Sequence, residues 1–268
     1  MSFWEWLLNL VHLKMTTPGL LGWFHILSIL VTLAVTVGLC LLYRYGKIKS
    51  VSRVVLITAL AVIALEIYKQ FQYSFSYEGG VVFDYQWYAF PWQFCSMPMY
   101  VGLLAGLTRG RLQSFLYSFL ATFATFAGAC VMVYPGDVFT SSVWINIQSM
   151  ICHGSMIVIG VFLFYTGAAK LEHKTILKAM AVFSVAVGMA VLLNELVVAT
   201  GIAGDETFNM FFISRHFEPS LPVYSSVQAV VPYPWCLFIY IAGFTAAAYI
   251  ILLVAMLVGR IAKRKKVA

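Results

Sequence analysis

The chain has 268 residues, of which 62% are hydrophobic and only 10% are charged, and its formal net charge is +7. A soluble globular protein carries about 25% charged residues, so this composition excludes an ordinary soluble enzyme, and it equally excludes a disordered chain. The basic residues form short clusters between apolar runs, which argues against nucleic-acid binding. The apolar runs are about 20 residues long and do not alternate like barrel strands, so the sequence predicts an all-α, polytopic membrane protein.

Seven apolar segments are long enough to cross about 30 Å of hydrocarbon at about 1.5 Å per helical residue. We expect residues 1–19 to form an amphipathic lead-in at the membrane interface rather than a cleavable signal peptide, because no basic region precedes an apolar stretch. Residues 201–233 form the longest connection and are expected to fold back over the bundle as a lid. A single domain over 1–268 is thus predicted, with spans at Leu20–Tyr43, Val54–Phe75, Pro91–Thr108, Leu112–Tyr134, Val143–Thr166, Ile176–Thr200 and Pro234–Arg260.

Most of the 17 basic residues fall in the loops on one side of this predicted bundle. The opposite loops are acidic and include Asp84, Asp137 and Glu206. Basic loops remain in the cytoplasm, so we expect a multi-pass protein of the cell membrane with its N-terminus outside and its C-terminus, including the basic tail 260–268, inside. The basic loop residues are Arg44, Lys47, Lys49, Arg53, Arg109, Arg111, Lys170, Lys174, Lys178, Arg260, Lys263, Arg264, Lys265 and Lys266.

The cysteines do not form a recognisable motif. No two of them have the C-x-x-C spacing that is typical of metal and redox sites. A cysteine in a membrane span is most often a small buried hydrophobe, so we expect no disulfide framework, no metal and no cofactor. The five residues are Cys40, Cys95, Cys130, Cys152 and Cys236.

Ionisable and amide side chains inside the spans are costly in lipid and are candidates for function. Glu66 and Lys69 share a face of the second span, where an ion pair would act either as a latch between helices or in substrate binding. Asn194 and Glu195 lie in the outer half of the sixth span. In the fifth span, Asn146, Ser149 and His153 form one stripe that must face the bundle or water. His153 is compatible with either an interhelical hydrogen bond or a reaction.

Cys95 lies at the start of the third span, between Pro91 and Pro98, which loosen the helix and free backbone groups. A cysteine thiolate with a neighbouring histidine is a nucleophile and base pair. Periodicity alone leaves Cys95 with His153 as one combination among several. Cys152 is adjacent to His153, but neighbouring helical residues point about 100° apart, which disfavours that pair.

The order of these motifs resembles the YwaF-like family of integral membrane proteins, which includes a vertebrate ether-phospholipid acyltransferase. The resemblance rests on the PWQFC stretch that ends at Cys95, on His153 two spans later, and on Glu66, Asn194, the segment 209–212 (NMFF) and the segment 233–235 (YPW). More distantly, the layout is similar to that of the androgen-induced membrane hydrolases, which use Thr with His on fatty-acid esters.

The resemblance implies a Cys/His acyltransferase that moves a fatty acyl group between phospholipid and lysophospholipid. Cys95 would carry the acyl group as a thioester and His153 would act as the base, without a diffusible cofactor and with neither nucleic acid nor an obligate protein partner. Gln93, Asn194 or a backbone N–H near Pro98 would stabilise the oxyanion. The further binding or supporting residues expected are Glu66, Lys69, Asn146, Glu195 and Asn209.

One geometric condition must be met. Helix rise places Cys95 about 6 Å below the start of its predicted span and His153 about 15 Å below the start of its own. They can meet only if the third helix starts earlier, the fifth starts later, or tilt closes the gap. The alternatives are a lipid ester hydrolase of the same Cys/His type, a small-molecule transporter, a seven-helix receptor and a scaffold without chemistry.

Overall fold

A computed structural model describes residue 6 and residues 12–76, 81–218 and 221–264. Most of the predicted lead-in (1–5 and 7–11) and the end of the basic tail (265–268) therefore lie outside the described residues. The described chain is mostly helical. Its helices are α1 (Trp23–Arg44), α2 (Val51–Gln72), α3 (Met97–Leu107), α4 (Gly110–Val133), α5 (Val143–Tyr165), α6 (Lys174–Thr200), α7 (Pro222–Gln228) and α8 (Tyr233–Arg264).

Six of these helices, α1, α2, α4, α5, α6 and α8, are long and apolar enough to cross a membrane, which confirms six of the predicted spans. They differ in burial, and the differences show the layout of the bundle. α4 and α5 are the most buried and form its centre, whereas α1 and α8 present most of their apolar side chains outwards. An apolar outer surface is expected of helices that face lipid instead of water.

The predicted third span, Pro91–Thr108, is only partly helical. A 3₁₀ turn over Phe94–Ser96 leads into α3, which covers only Met97–Leu107. Pro98 occupies the first turn of α3, where its missing N–H costs nothing, and Gln93 is extended with φ −82° and ψ 162°. Eleven helical residues rise only about 16 Å, so α3 alone is too short to cross the hydrocarbon.

Before α3, the chain forms a small antiparallel pair, β1 (Phe75–Ser76) with β2 (Val82–Phe83), and a 3₁₀ turn over Trp87–Ala89. These elements cover the end of α2. Gln70 on α2 donates from Nε2 to the Ala89 carbonyl at 2.8 Å and accepts at Oε1 from the Tyr85 hydroxyl at 2.7 Å. The segment that leads to Cys95 is therefore fixed to α2 by hydrogen bonds.

The centre of the bundle brings α4 and α5 into close contact at small residues. A Cβ atom at Gly128 would lie 2.5 Å from the backbone carbonyl oxygen of His153. α4 also contains a π-helical segment, Leu120–Ala124, in which the Thr125 hydroxyl donates to the Leu120 carbonyl five residues earlier at 3.1 Å. π segments widen a helix locally and frequently occur beside functional sites.

The predicted lid, 201–233, packs into the bundle as well as over it. Phe208, Met210, Phe211 and Ile213 are fully buried, and a 3₁₀ turn covers Met210–Phe212. Phe211 has φ +59°, a conformation that is uncommon for any residue other than glycine. Such a backbone persists only where its surroundings hold it in place, which makes the contacts of this turn important for the site described next.

Candidate active site

A cavity of about 190 Å³ lies between α2, α5 and the turn that precedes α3. Cys95 and His153 both line it, so the structure brings together the two residues predicted from the sequence as nucleophile and base. Glu66 and Lys69 line it as well. The remaining polar lining residues are Tyr73, Tyr88, Ser96, Asp137, Thr140, Gln148, Ser149 and Cys152.

The imidazole of His153 is held in one tautomer by its own helix. Nδ1 lies 2.8 Å from the backbone carbonyl oxygen of Ser149, one turn earlier in α5. A carbonyl oxygen only accepts hydrogen bonds, so Nδ1 carries the proton of the neutral ring and donates it. Nε2 then holds the lone pair, and it is buried with no hydrogen-bond partner among the residues that the structure describes. A positioned nitrogen with a free lone pair is what a general base requires.

The nucleophile candidate is accessible within this enclosed site. Cys95 occupies the middle of the 3₁₀ turn Phe94–Ser96, lines the cavity and is exposed, whereas its neighbour Ser96 is buried. Among the five cysteines, Cys95 and Cys152 line this cavity, and Cys152 is buried. Cys95 is therefore the thiol of the site that a substrate can contact most readily.

The depth condition is met by a route that the sequence reasoning did not consider. The third helix begins later than predicted, at Met97, and the residues before it run into the bundle without α-helical winding. Gln93 is extended, and a 3₁₀ turn such as Phe94–Ser96 rises about 2.0 Å per residue against about 1.5 Å in an α-helix. This backbone brings Cys95 to the cavity that His153 also lines.

Glu66 and Lys69 form the predicted ion pair, with Nζ 2.7 Å from Oε1 and side chains 18% (Lys69) and 9% (Glu66) exposed. Glu66 Oε1 also accepts from Gln70 Nε2 at 2.8 Å, and Glu66 Oε2 lies 3.5 Å from Gln148 Nε2 on α5. The pair is therefore part of a network that joins α2 to α5 across one side of the cavity. Latch and substrate-binding roles remain compatible, because the same charges face the cavity.

Gln93, Asn194 and Asn209 lie together but do not line the cavity. Gln93 Oε1 accepts from the Phe211 N–H at 3.0 Å, and Gln93 Nε2 donates to the Asn209 carbonyl at 3.2 Å. Asn194 makes a two-way contact with Met210, accepting from its N–H at 2.8 Å and donating to its carbonyl at 3.1 Å. These hydrogen bonds hold the unusual turn within residues 201–233, which we call the outer loop after its predicted side. They fit a supporting role rather than oxyanion binding by Gln93 or Asn194.

We call Gln93, Asn194 and Asn209 the clamp. Its member Gln93 lies two residues before the nucleophile candidate Cys95 in the chain. Phe94, between Gln93 and Cys95, packs against Phe183 of α6, Phe211 of the outer loop and Phe244 of α8, with ring centroids 5.2, 6.0 and 5.3 Å apart. The residues before Cys95 are thus fixed by hydrogen bonds and aromatic packing. The outer loop positions Cys95 from outside the cavity.

The two other predicted supporting residues lie farther from the pair. Asn146 does not contact the cavity, and its amide exchanges two 2.8 Å hydrogen bonds with the backbone of Thr140, which does line it. Glu195, which had no evident partner in the sequence, pairs with Arg215 at 2.8 Å and His216 at 3.1 Å. Asn146 therefore shapes the cavity wall, whereas Glu195 ties α6 to the outer loop.

Gln148 and Cys152 are the residues whose place in the site the sequence reasoning missed. Gln148 Nε2 lies 3.3 Å from the Cys152 sulfur, one turn apart on α5, and both residues line the cavity beside His153. Their i, i+4 spacing was a usable signal for a shared face. The angle of about 100° between neighbouring helical residues disfavours a Cys152–His153 pair, but a cavity that wraps around a helix can contact both.

Comparison with known proteins gives one result. The model of the TMEM164 family matches residues 20–257, which include α1 to α6, the outer loop and most of α8. Neither a curated protein nor a solved structure matches the chain. Every residue of the candidate site lies within the matched range. A match over most of the chain, together with six apolar helices of membrane-spanning length, shows that the chain belongs to the TMEM164 family of membrane proteins.

Proposed function

We propose that this protein is an integral membrane acyltransferase that moves a fatty acyl group from a phospholipid to a lysophospholipid through a thioester on Cys95. The observation that carries the proposal is the cavity shared by Cys95 and His153, in which the histidine tautomer is fixed with Nε2 unpaired. The resemblance to the ether-phospholipid acyltransferase gives the proposal its substrate class.

In the first half-reaction, Nε2 of His153 takes the proton of the Cys95 thiol. The thiolate attacks the ester carbonyl carbon, and the carbon–oxygen bond to the glycerol breaks. The leaving oxygen takes the proton from Nε2, so a lysophospholipid departs and the acyl group remains on Cys95. In the second half, the hydroxyl of another lysophospholipid gives its proton to Nε2 and attacks the thioester. The sulfur leaves and regains its proton.

Two neighbours supply the polar contacts that this chemistry needs. Gln148 Nε2 is an amide donor on the same helix as His153, and its contacts with Glu66 and Cys152 are long, at 3.5 and 3.3 Å. A donor so weakly engaged is a suitable partner for the oxyanion. Lys69 provides a positive charge on the cavity wall, where a lipid phosphate would lie when the ester carbonyl is at Cys95.

We further propose that α3 and the residues before it complete a seventh passage, with the N-terminus outside the cell membrane. Two contacts support this. At one end, the Trp87 N–H donates to Glu206 of the outer loop at 3.0 Å, and at the other, Lys178 Nζ contacts Ser114 near the start of α4 at 3.2 Å. These contacts support a chain that runs from one end of the bundle to the other between Trp87 and α4. Irregular backbone is tolerated at membrane depth where protein buries it.

A lipid ester hydrolase is the second candidate, and the polar rim of the cavity favours keeping it. Asp137, Lys69 and Tyr88 all line the cavity and Asp137 is exposed, which would give water a polar route towards Cys95. With water as the second acceptor, the same residues release a free fatty acid. The polar residues of the cavity do not distinguish transfer from hydrolysis, because both reactions share the first half-reaction.

The test is acyl transfer by the purified protein in detergent. A phospholipid with a deuterated acyl chain is incubated with an unlabelled lysophospholipid, and labelled phospholipid and labelled free fatty acid are both measured by mass spectrometry. We expect transfer that is lost in Cys95→Ala and kept in Cys130→Ala, since Cys130 is exposed and does not line the cavity. Labelled fatty acid without transfer would replace the proposal by the hydrolase. Activity retained in Cys95→Ala would overturn both.

A further inference from the structure

Three neighbouring cavities lie one after another through the bundle. The site cavity shares Val62, Met99 and Cys152 with a narrow seam between α2, α3, the π segment of α4, and α5. The seam in turn shares Thr58 and Ser155 with a groove of about 320 Å³ between α1 and α5. The three cavities therefore follow one another from Cys95 to the lipid-facing side of the bundle, and we call this series the path.

The path changes from polar to apolar along its length. Its beginning holds Glu66, Lys69 and Asp137, whereas the groove is walled mainly by aliphatic side chains of α1 and α5. Three of the hydroxyls along the path are satisfied by their own helices. Ser155 donates to the Cys152 carbonyl at 2.7 Å, and Ser28 and Thr32 donate to carbonyls four residues earlier at 2.8 Å. These three hydroxyls need no further partner, and the aliphatic walls make the path suited to a hydrocarbon chain.

The seam is the narrow part, with a volume of only about 20 Å³. That is roughly the room of one water molecule. Met99 and Met156 flank it, and both are buried. Methionine has three rotatable bonds and readily adapts to a ligand, so the residues that close the seam are those that can move aside at least cost. The seam is thus a constriction between the site and the groove whose walls include two adaptable side chains.

We propose that this path binds the acyl chain of the lipid whose ester carbonyl lies at Cys95, and that the chain leaves the protein between α1 and α5. The inference rests on the proposed function, because it takes Cys95 as the reacting residue. From Glu66 to Val55 the path follows about 16 Å of α2. The path runs along α2 from its C-terminal end, next to the polar rim of the cavity, towards its N-terminal end. A lipid with its head group at the rim and its chain pointing inwards matches that direction.

Another apolar groove is less suitable for this chain. It has a volume of about 380 Å³ and lies between α7, α8 and Phe126 of α4, with Tyr224, Tyr240 and Phe244 in its walls. It shares no lining residue with the site cavity. A chain bound there would have to leave and re-enter the protein to reach Cys95.

Two substitutions at the junction of the seam and the groove test the inference. Ser155→Phe and Thr58→Leu each fill the shared opening, while Val161→Phe, on the exposed face of α5 and outside all three cavities, adds similar bulk elsewhere. The probe is a phosphatidylcholine whose palmitoyl chain ends in a diazirine. It is crosslinked to the wild type and to Cys95→Ala, and the labelled peptides are mapped by mass spectrometry.

We expect the label on α1 and α5, and about a tenfold loss of label in both junction variants but not in Val161→Phe, the size of effect expected when bulk is forced into a binding path. An octanoyl probe, which ends before the junction, should label all variants equally. Label unaffected by both junction variants, concentrated around Phe244, or absent throughout would overturn the inference. If the label follows this pattern while the wild type transfers no acyl group, the proposed function fails and the path stands.

Discussion

His153 and Ser149 lie one turn apart on α5, and the backbone carbonyl of Ser149 accepts the Nδ1 proton of His153 at 2.8 Å. The contact is made by the main chain, so the helix itself selects the tautomer and leaves Nε2 for chemistry. The Ser149 hydroxyl is a weaker partner, at 3.4 Å.

This relationship distinguishes the two residues by mutation. His153→Ala should lower acyl transfer by about 10²- to 10⁴-fold, the usual contribution of a general base. Ser149→Ala should retain most of the activity, because it keeps the carbonyl that fixes the ring. The measurement is the initial rate of labelled phospholipid formation with both variants. A large loss in Ser149→Ala with little loss in His153→Ala would contradict the assignment.

The Glu66–Lys69 pair should show the asymmetry of a buried ion pair. Glu66→Gln or Lys69→Met alone leaves one charge without its partner and should lower stability by about 3–5 kcal/mol, whereas the double variant should lose less than either. Thermal unfolding in detergent, followed by tryptophan fluorescence, measures all three. Purely additive losses would show that the two charges do not stabilise each other in the fold.

Adjacent residues on α6 provide a matched comparison for the outer-loop clamp. Asn194 is buried and holds both backbone groups of Met210, so Asn194→Ala should cost about 1–3 kcal/mol and reduce transfer through the displaced Phe211 turn. Glu195→Ala breaks solvent-screened contacts with Arg215 and His216 and should cost much less stability than Asn194→Ala. Melting temperatures and transfer rates are compared for the two variants. Equal losses of stability and transfer in the two variants would contradict a role of the clamp in positioning the Phe211 turn.

Two glycines test the contact that places His153. A Cβ at Gly128 would lie 2.5 Å from the His153 carbonyl oxygen and 2.9 Å from Met156 Cβ, so Gly128→Ala must push α4 and α5 apart, at about 1–3 kcal/mol. A Cβ atom at Gly188 on α6 would meet no other atom within 4 Å. Gly188→Ala should therefore be neutral or stabilise the helix by roughly 0.5–1 kcal/mol. If Gly128→Ala unfolds at the same temperature as the wild type, the helices are packed less closely than the structure shows.

How far the sequence predicts the structure depends on the type of signal. Apolar runs such as Val143–Thr166 predict their helices within a few residues, because length and hydropathy act locally. The predicted third span begins at Pro91, whereas its α-helix begins only at Met97. Composition does not show where a helix begins when two prolines lie near its start. Glu195 had no visible partner because Arg215 and His216 approach it only after the outer loop folds back.

The candidate site was predictable mainly through resemblance. Periodicity placed His153 on an inward stripe but did not select Cys95, and it discounted Cys152, which lines the same cavity. Gln93 and Asn194 were expected near the reacting atoms, whereas they hold the backbone of residues 209–211. Side-chain chemistry alone does not distinguish an amide that binds substrate from one that binds a loop. That distinction depends on tertiary contacts.

The most direct test of the central claim is the intact mass of the purified protein after incubation with phospholipid, for the wild type, Cys95→Ala and Cys130→Ala. The account predicts a mass increase of one acyl group on the wild type and on Cys130→Ala, its removal by hydroxylamine, and its absence from Cys95→Ala. An acyl adduct that persists on Cys95→Ala, or one that hydroxylamine does not release, would contradict a thioester at Cys95.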